Sequence, residues 1–420
     1  IRKWVDLFDD EFEDEQSKEF QIKELSKIVN SVIGKNLIPS LPIYILTILQ
    51  ANELTSTTNF EQSTFGHYYD VLIKSALGQK IKANAEIEKY YSYLTELSFW
   101  LYQNKVIEID ENSFMEFHQS FIKKYSIQLS FREVVETLEN CNLIQKNGGI
   151  YKFKYKYIYF YFIGKYFSDN LENEIIQREV TELSNRLYQT ETANIYIFLS
   201  HHSKSKFIIK QILERARELF MEEEVIEFNS DIKSINNLIE KKVDNIDFEE
   251  KNNHEESITE VELSEVEGGD SDLEILEESA DVNEEIDSIS KVNKAFKTIE
   301  ILGYIIKNRY ASLTGEEKSN LVEELYKLGL RSLTFLFKTL LDGEEYIKNE
   351  IIDLIKKDPN GVLTVREREE LAKQFIFNLL YMVSYSIFKR ISSSISSKDL
   401  EITFADVREK LSNGKGNEKK

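Results

Sequence analysis

The chain has 420 residues, with a formal net charge of −21, 41% hydrophobic residues and 12% aromatic residues. That length is enough for two or three separate cores. A single cysteine, Cys141, excludes an intrachain disulfide framework and suits a reducing compartment, and no stretch offers the roughly 18 consecutive apolar residues of a membrane helix, so a cytoplasmic, soluble protein is expected.

The charge is concentrated. Between Val243 and Ser290 there are 19 Asp or Glu and one lysine, Lys251, which places −18 of the −21 in that stretch. The remainder is near neutral, so global charge argues neither for nor against a nucleic-acid partner. The chain opens Ile1-Arg2-Lys3, and methionine occurs only at Met115, Met221 and Met382, so a preceding N-terminal part is expected.

Taken in chain order, the apolar residues Ile22, Leu25, Ile28, Val29, Val32 and Ile33 keep a helical period that Gly34 ends as a C-cap. Pro39 and Pro42 then break the chain before the apolar run Ile43–Leu49, and helical patterns resume in "STFGHYYDVLIKSAL" and in Glu86–Lys105. Ser113–Tyr125 forms an amphipathic helix. Ser130, with Glu133 three residues on, has the spacing of a capping box for the next helix, which stops near Asn147-Gly148-Gly149.

The stretch "IYKFKYKYIYFYFIGKYF" at 150–167 then divides in two. Ile150, Lys152 and Lys154 alternate with Tyr151, Phe153 and Tyr155, the period of a half-buried strand. From Lys156 onward, Tyr157, Phe160, Tyr161, Gly164 and Phe167 recur at helical spacing. The aromatic run is thus read as core rather than as a base-stacking strand. Helix, helix, short wing, helix is the order of a winged-helix domain.

Helices continue from Glu174 to Lys241. Val243–Ser290 is too polar to bury a core and is read as a flexible linker. Helix resumes at about Val292, again at Thr314 with Glu317 behind it, and in Glu367–Arg390.

No self-contained active site emerges. The phosphate loop G-x-x-x-x-G-K-S/T does not occur, since Gly34-Lys35 is followed by Asn36 and has no upstream glycine. His201-His202 has no ligand-spaced partner and reads as a helix-end pair, Cys141 as a small core residue, and His67 and His118 as lone structural histidines.

The order of segments resembles the region C-terminal to the nucleotide-binding core of STAND-type NTPases, the class that includes NACHT proteins and bacterial antiviral ATPases. The resemblance covers about residues 1–210 and, more loosely, 291–345. "GKNLIPSLPIYILTIL" resembles the lid turn of that family, whose proline packs on adenine, and Pro42 takes the matching place. "FKYKYIYFYFIGKYF" is similar in spacing to the family's winged-helix motif, with Phe162, Tyr166 and Phe167 on its aromatic and apolar positions. The family's phosphate-contacting histidine falls at Tyr155, which can donate a hydrogen bond but carries no charge. Lys154 or Lys156 would then supply the charge.

The resemblance implies a mainly α fold: a helical lid bundle, a winged-helix domain with a short β wing, and a C-terminal helical region. It places a lid domain at 1–80, the winged helix at 81–172, a helical domain at 173–242, the acidic linker at 243–290, a sensor or scaffold at 291–412 and a tail at 413–420. It implies ATP and ADP as cofactors, with Mg²⁺ ligands outside this chain, an upstream NTPase core and effector domain as partners, a trigger ligand, and homo-oligomers on activation. The chain alone would not hydrolyse ATP. The alternatives are a winged-helix transcription regulator or a helical scaffold. A DNA-docking helix should be basic, yet the candidate helix sets Arg132 and Lys146 against Glu133, Glu136 and Glu139.

Overall fold

A computed structural model of the chain describes residues 1–5, 15–33, 45–46, 48–49, 65–78, 80–81, 84–226, 284–342, 365–397 and 400–413. Gly34, Pro39, Pro42, most of the acidic stretch and the C-terminal tail lie outside the described residues, as does the side chain of His67. The described residues fall into two compact units. One lies within Ile1–Ile212, Ile301–Ser319 and Ser397–Lys420, the other within Leu213–Glu300 and Asn320–Ser396.

After a short helical turn, Arg2–Val5, the elements are α1 (Glu15–Ile33), α2 (Phe65–Gly78), α3 (Asn84–Asn104), β1 (Glu108–Asp110), α4 (Glu111–Tyr125), α5 (Phe131–Asn140), β2 (Ile144–Asn147), β3 (Ile150–Phe153), α6 (Lys156–Asp169), α7 (Glu174–Asn185), α8 (Thr190–His202), α9 (Lys206–Glu218), α10 (Glu284–Asn308), α11 (Gly315–Asp342), α12 (Val365–Ile395) and α13 (Glu401–Asn413). Among the described residues the architecture is mainly helical, with one small antiparallel sheet of order β1-β3-β2.

The sheet is built as the alternation in β3 dictates. Tyr151 and Phe153 are buried, Ile150 is exposed and Lys152 is intermediate. Tyr151 faces Ile109 of β1 and Lys146 of β2, and Phe153 faces Ile144. Gly148 and Gly149 turn the hairpin with φ of 60° and 85°, positive values that a two-residue hairpin turn needs and that glycine adopts without steric cost. β1 escapes pattern reading because three residues cannot display a period. Asp110 ends it and caps α4, its carboxylate accepting from the amides of Asn112 (2.9 Å) and Ser113 (3.1 Å). The helix therefore starts at Glu111, two residues before the expected Ser113.

The capping box expected at Ser130 does not form. Ser130 has the extended N-cap backbone, but its side chain makes no capping bond, because this exposed helix start can be served by solvent. The box at Thr314 does form. The Thr314 amide donates to Glu317 Oε2 (2.9 Å), and the Glu317 amide donates to Thr314 Oγ1 (3.2 Å). The helix expected from about Val292 starts earlier, at Glu284, within the stretch read as linker. Glu284 and Glu285 suit the positive end of a helix, so acidity in this segment was compatible with helix.

Two helices at the centre of the first unit are apolar on nearly all sides, as fits elements surrounded by others. In α6 the buried residues are Tyr157, Ile158, Phe160–Gly164 and Phe167, and in α8 Thr192–Ser200 are all buried. The two meet at Gly164. A Cβ there would lie 2.7 Å from the Leu199 amide nitrogen and 2.8 Å from Phe198 Cβ. A side chain at this position would hold the helices apart.

The C-terminal end of α8 is closed by Arg309. Its buried guanidinium donates to the Ser203 carbonyl and to those of Ser205 (3.3 Å) and Ser200 (3.5 Å). A cation serves a helix C-terminus because the last carbonyls have no helical partner and carry the negative end of the dipole. Replacing it by methionine, which keeps the apolar stem, is expected to cost about 2 kcal/mol, read as a lower urea midpoint with an unchanged slope.

In the second unit Arg331 of α11 donates to the Ala216 carbonyl (2.7 Å) and to Glu324 Oε1 (2.8 Å). Phe335 packs on Phe220 with ring centroids 4.6 Å apart. Gly329 lets α12 approach α11 closely, since a Cβ there would meet Ile391 Cδ1 at 2.5 Å. The Arg390 guanidinium lies 4.2 Å from the centroid of the Phe296 ring, which ties α12 to α10.

Candidate functional site

The residues singled out for nucleotide contact stand at the junction where β3 hands over to α6. Tyr155 is the N-cap residue, with extended backbone (φ −131°, ψ 140°) and no side-chain capping bond. Its ring lies parallel to that of Tyr157 at 6.0 Å and is half-buried. The Lys154 amide donates to the Leu143 carbonyl (3.0 Å), and its ammonium donates to Asn142 Oδ1 (2.5 Å). Lys156, the first residue of α6, is exposed. The three are neighbours at one point of the fold, while Pro42 lies outside the described residues.

The junction has the electrostatics of an anion-binding place. Two lysines flank the positive end of a 14-residue helix that has no acidic residue in its first turn. Helix amides at such an end have no internal acceptor and point at whatever anion approaches. Among the described residues no cluster of histidine, cysteine or acidic side chains could hold a metal ion.

Behind the junction lies a polar cluster that pattern reading missed. Asp70 of α2 accepts from Tyr161 of α6 (2.6 Å), from Tyr91 of α3 (3.1 Å) and from its own helical neighbour Lys74 (2.7 Å). Burial alone would push the Asp70 carboxyl up, but the Lys74 ammonium and the two tyrosine hydroxyls outweigh it and hold the group below its ordinary value. One carboxylate thus fastens α2 and α3 to α6. The only part visible in the sequence was the i, i+4 spacing of Asp70 and Lys74.

His202, the last residue of α8, meets the same tyrosine from the other side. Its ring stands edge-on to Tyr161 at 4.5 Å, and its Nε2 donates to the Tyr161 carbonyl (3.1 Å). That acceptor fixes the proton on Nε2. Burial, assisted by His201 and Lys165, pushes its pKa down to about 3, so the ring is neutral. His118 is buried. Its Nε2 donates to the Leu129 carbonyl (3.1 Å), and its Nδ1 accepts from Tyr93 (3.2 Å). Burial pushes the thiol of Cys141 up. These groups fill structural places, as read from the sequence.

Removing the Tyr161 hydroxyl as Tyr161→Phe is expected to cost on the order of 1–2 kcal/mol, because a short charge-assisted bond to a half-buried carboxylate is lost. Tyr91→Phe, whose bond is longer, should cost less. Thermal unfolding of the two variants checks that order.

Residues 107–163 match the family model described as Novel STAND NTPase 4. The matched stretch begins just before β1 and ends within α6, so it contains the whole three-stranded sheet, both intervening helices and the junction. The match supports a relation to STAND NTPases. No curated protein and no solved structure matches the chain.

Proposed function

We propose that this chain is the regulatory part of a STAND-type ATPase, with residues 81–172 forming a winged-helix domain that reads the nucleotide held by an NTPase core. The observation that carries the reading is the coincidence of the family match at 107–163 with the sheet and helices β1-α4-α5-β2-β3 and the start of α6. The arrangement of the junction supports it. Lys154, Tyr155 and Lys156 would face the phosphates, Tyr155 donating a hydrogen bond where the family uses a histidine and the lysines supplying charge. Pro42 would pack on the adenine.

The switch then works by differential affinity. With ADP bound the lid and winged helix close on the nucleotide. With ATP bound the winged helix swings away, chains assemble, and an effector domain is activated. A ligand can drive such a shift only by as much as it prefers one state, which for a nearly complete switch is about 5.5 kcal/mol. Bacterial antiviral signalling is the biological setting that this reading favours.

The test is the coding sequence upstream of the Ile1 codon. A G-x-x-x-x-G-K-S/T loop at the end of a strand, followed by an acidic strand end, is expected there. A start codon immediately before Ile1 would overturn the reading.

A further inference from the structure

Six of the exposed large apolar side chains among the described residues fall on one helix. On α12, Leu371, Phe377, Tyr381, Met382, Tyr385 and Phe388 are between 39% and 61% exposed. At the α-helical repeat they form one stripe. The opposite side carries Ile376, Leu380, Ile387 and Ile391, all buried. The close contact of Gly329 with Ile391 and the stacking of Arg390 on Phe296 fix the rotation of the helix. The aromatic side is therefore presented outward and cannot turn inward to hide. Tyr381 and Tyr385 already stack on each other at 6.4 Å.

We propose that this face is a two-fold interface between two copies of the chain, formed by antiparallel pairing of α12. The sequence is self-complementary about a point between Leu379 and Leu380. An axis there places Leu371 opposite Phe388 of the second copy, Phe377 opposite Met382 and Asn378 opposite Tyr381. The same register sets exposed Glu370 against exposed Lys389, twice per dimer, closing both ends of the stripe with opposite charges. An isologous interface requires this property, because every residue must meet its counterpart with the order reversed. A parallel pairing would set Glu370 against Glu370.

The size suffices. The stripe runs about 26 Å along the helix. Six half-exposed side chains of this kind remove roughly 600 Å² per copy from water, so the pair clears the roughly 1,000 Å² expected of a specific interface. The inference does not depend on the nucleotide reading, and it assigns the dimer to a face far along the chain from the junction.

Sedimentation velocity on the full chain, without nucleotide, tests it. A reversible dimer is expected. Tyr381→Asp should raise its dissociation constant by about a hundredfold or more, since it puts a charge at the centre of the interface. Glu370→Lys alone, or Lys389→Glu alone, should raise it about tenfold, as two like-charge contacts replace two attractive ones. The two reversals combined should restore the parent value, and rescue cannot come from misfolding. A monomer at all concentrations, a dimer indifferent to Tyr381→Asp, or paired reversals that fail to rescue would each overturn the proposal. So would adsorption to lipid vesicles in place of self-association.

Discussion

Gly164→Ala should unfold the first unit at a temperature several degrees below that of the parent chain. The added methyl would lie 2.7 Å from the Leu199 amide nitrogen and 2.9 Å from the Phe198 carbonyl carbon. These are backbone atoms on the neighbouring helix, and no rotamer change relieves them. α6 and α8 must move apart, and both are buried on nearly every side, so the strain spreads into the surrounding packing. Overpacking of this kind costs about 3 kcal/mol, against which the helix-forming advantage of alanine returns about 1. Gly148→Ala offers the contrast, since nothing lies within 4 Å and the cost there comes from the positive φ alone. Calorimetry on both variants separates a packing clash from a backbone preference. The Gly164 variant should lose more enthalpy of unfolding.

Acid should destabilise the same unit, beginning well above the range where carboxylates titrate. His202 keeps its neutral ring down to about pH 3 in the folded chain, whereas its ordinary value is 6.5. Below pH 6.5 the unfolded state therefore binds a proton that the folded state refuses, and stability falls as pH falls. On this linkage about 2 kcal/mol is lost between pH 7 and pH 5. Burial is the main cause, with the neighbouring His201 and Lys165 acting in the same direction and Asp70 against it. Asp70 follows later. Its folded value lies below the ordinary 3.8, so its contribution is complete above that pH and is lost only as pH falls further. Urea unfolding at pH 7 and pH 5 should show the loss in the parent chain. In His202→Gln, which keeps a donor toward the Tyr161 carbonyl but does not titrate, most of it should vanish. An equal loss in both proteins would assign the acid sensitivity elsewhere.

Much of the matched segment was legible because its signals are local. The alternation through Ile150–Phe153 and the switch from period two to helical spacing at Lys156 each depend on adjacent residues, and β3 and α6 fall there. The glycine pair, read as the stop of the preceding helix, instead turns a hairpin, since α5 already ends at Asn140 and β2 takes up Ile144–Asn147. The fastening of α6 was not legible. Asp70, Tyr91, Tyr161 and His202 come together from four helices, and each alone looks like an ordinary member of an amphipathic pattern. Ser130 shows the converse. Its spacing to Glu133 was right, but an exposed helix start can take its hydrogen bonds from water. The start of α10 at Glu284 was hidden by composition, since a run of acidic residues lowers hydrophobicity without preventing helix. Of the proposed nucleotide contacts, the sequence grouped Lys154, Tyr155 and Lys156, and the fold keeps them together because strand and helix share that point.

The central claim is that the β3–α6 junction reads a nucleotide. Hydrogen exchange on the complete gene product, compared between ADP and Mg-ATP, tests it most directly. The amides of Lys156 and Tyr157 lie in the first turn of α6, where a bound phosphate would shield them. With ADP bound, exchange at residues 154–158 should slow markedly and should recover with ATP, while the buried amides of α8 stay unchanged. Equal exchange throughout 107–169 in both nucleotide states would contradict the account.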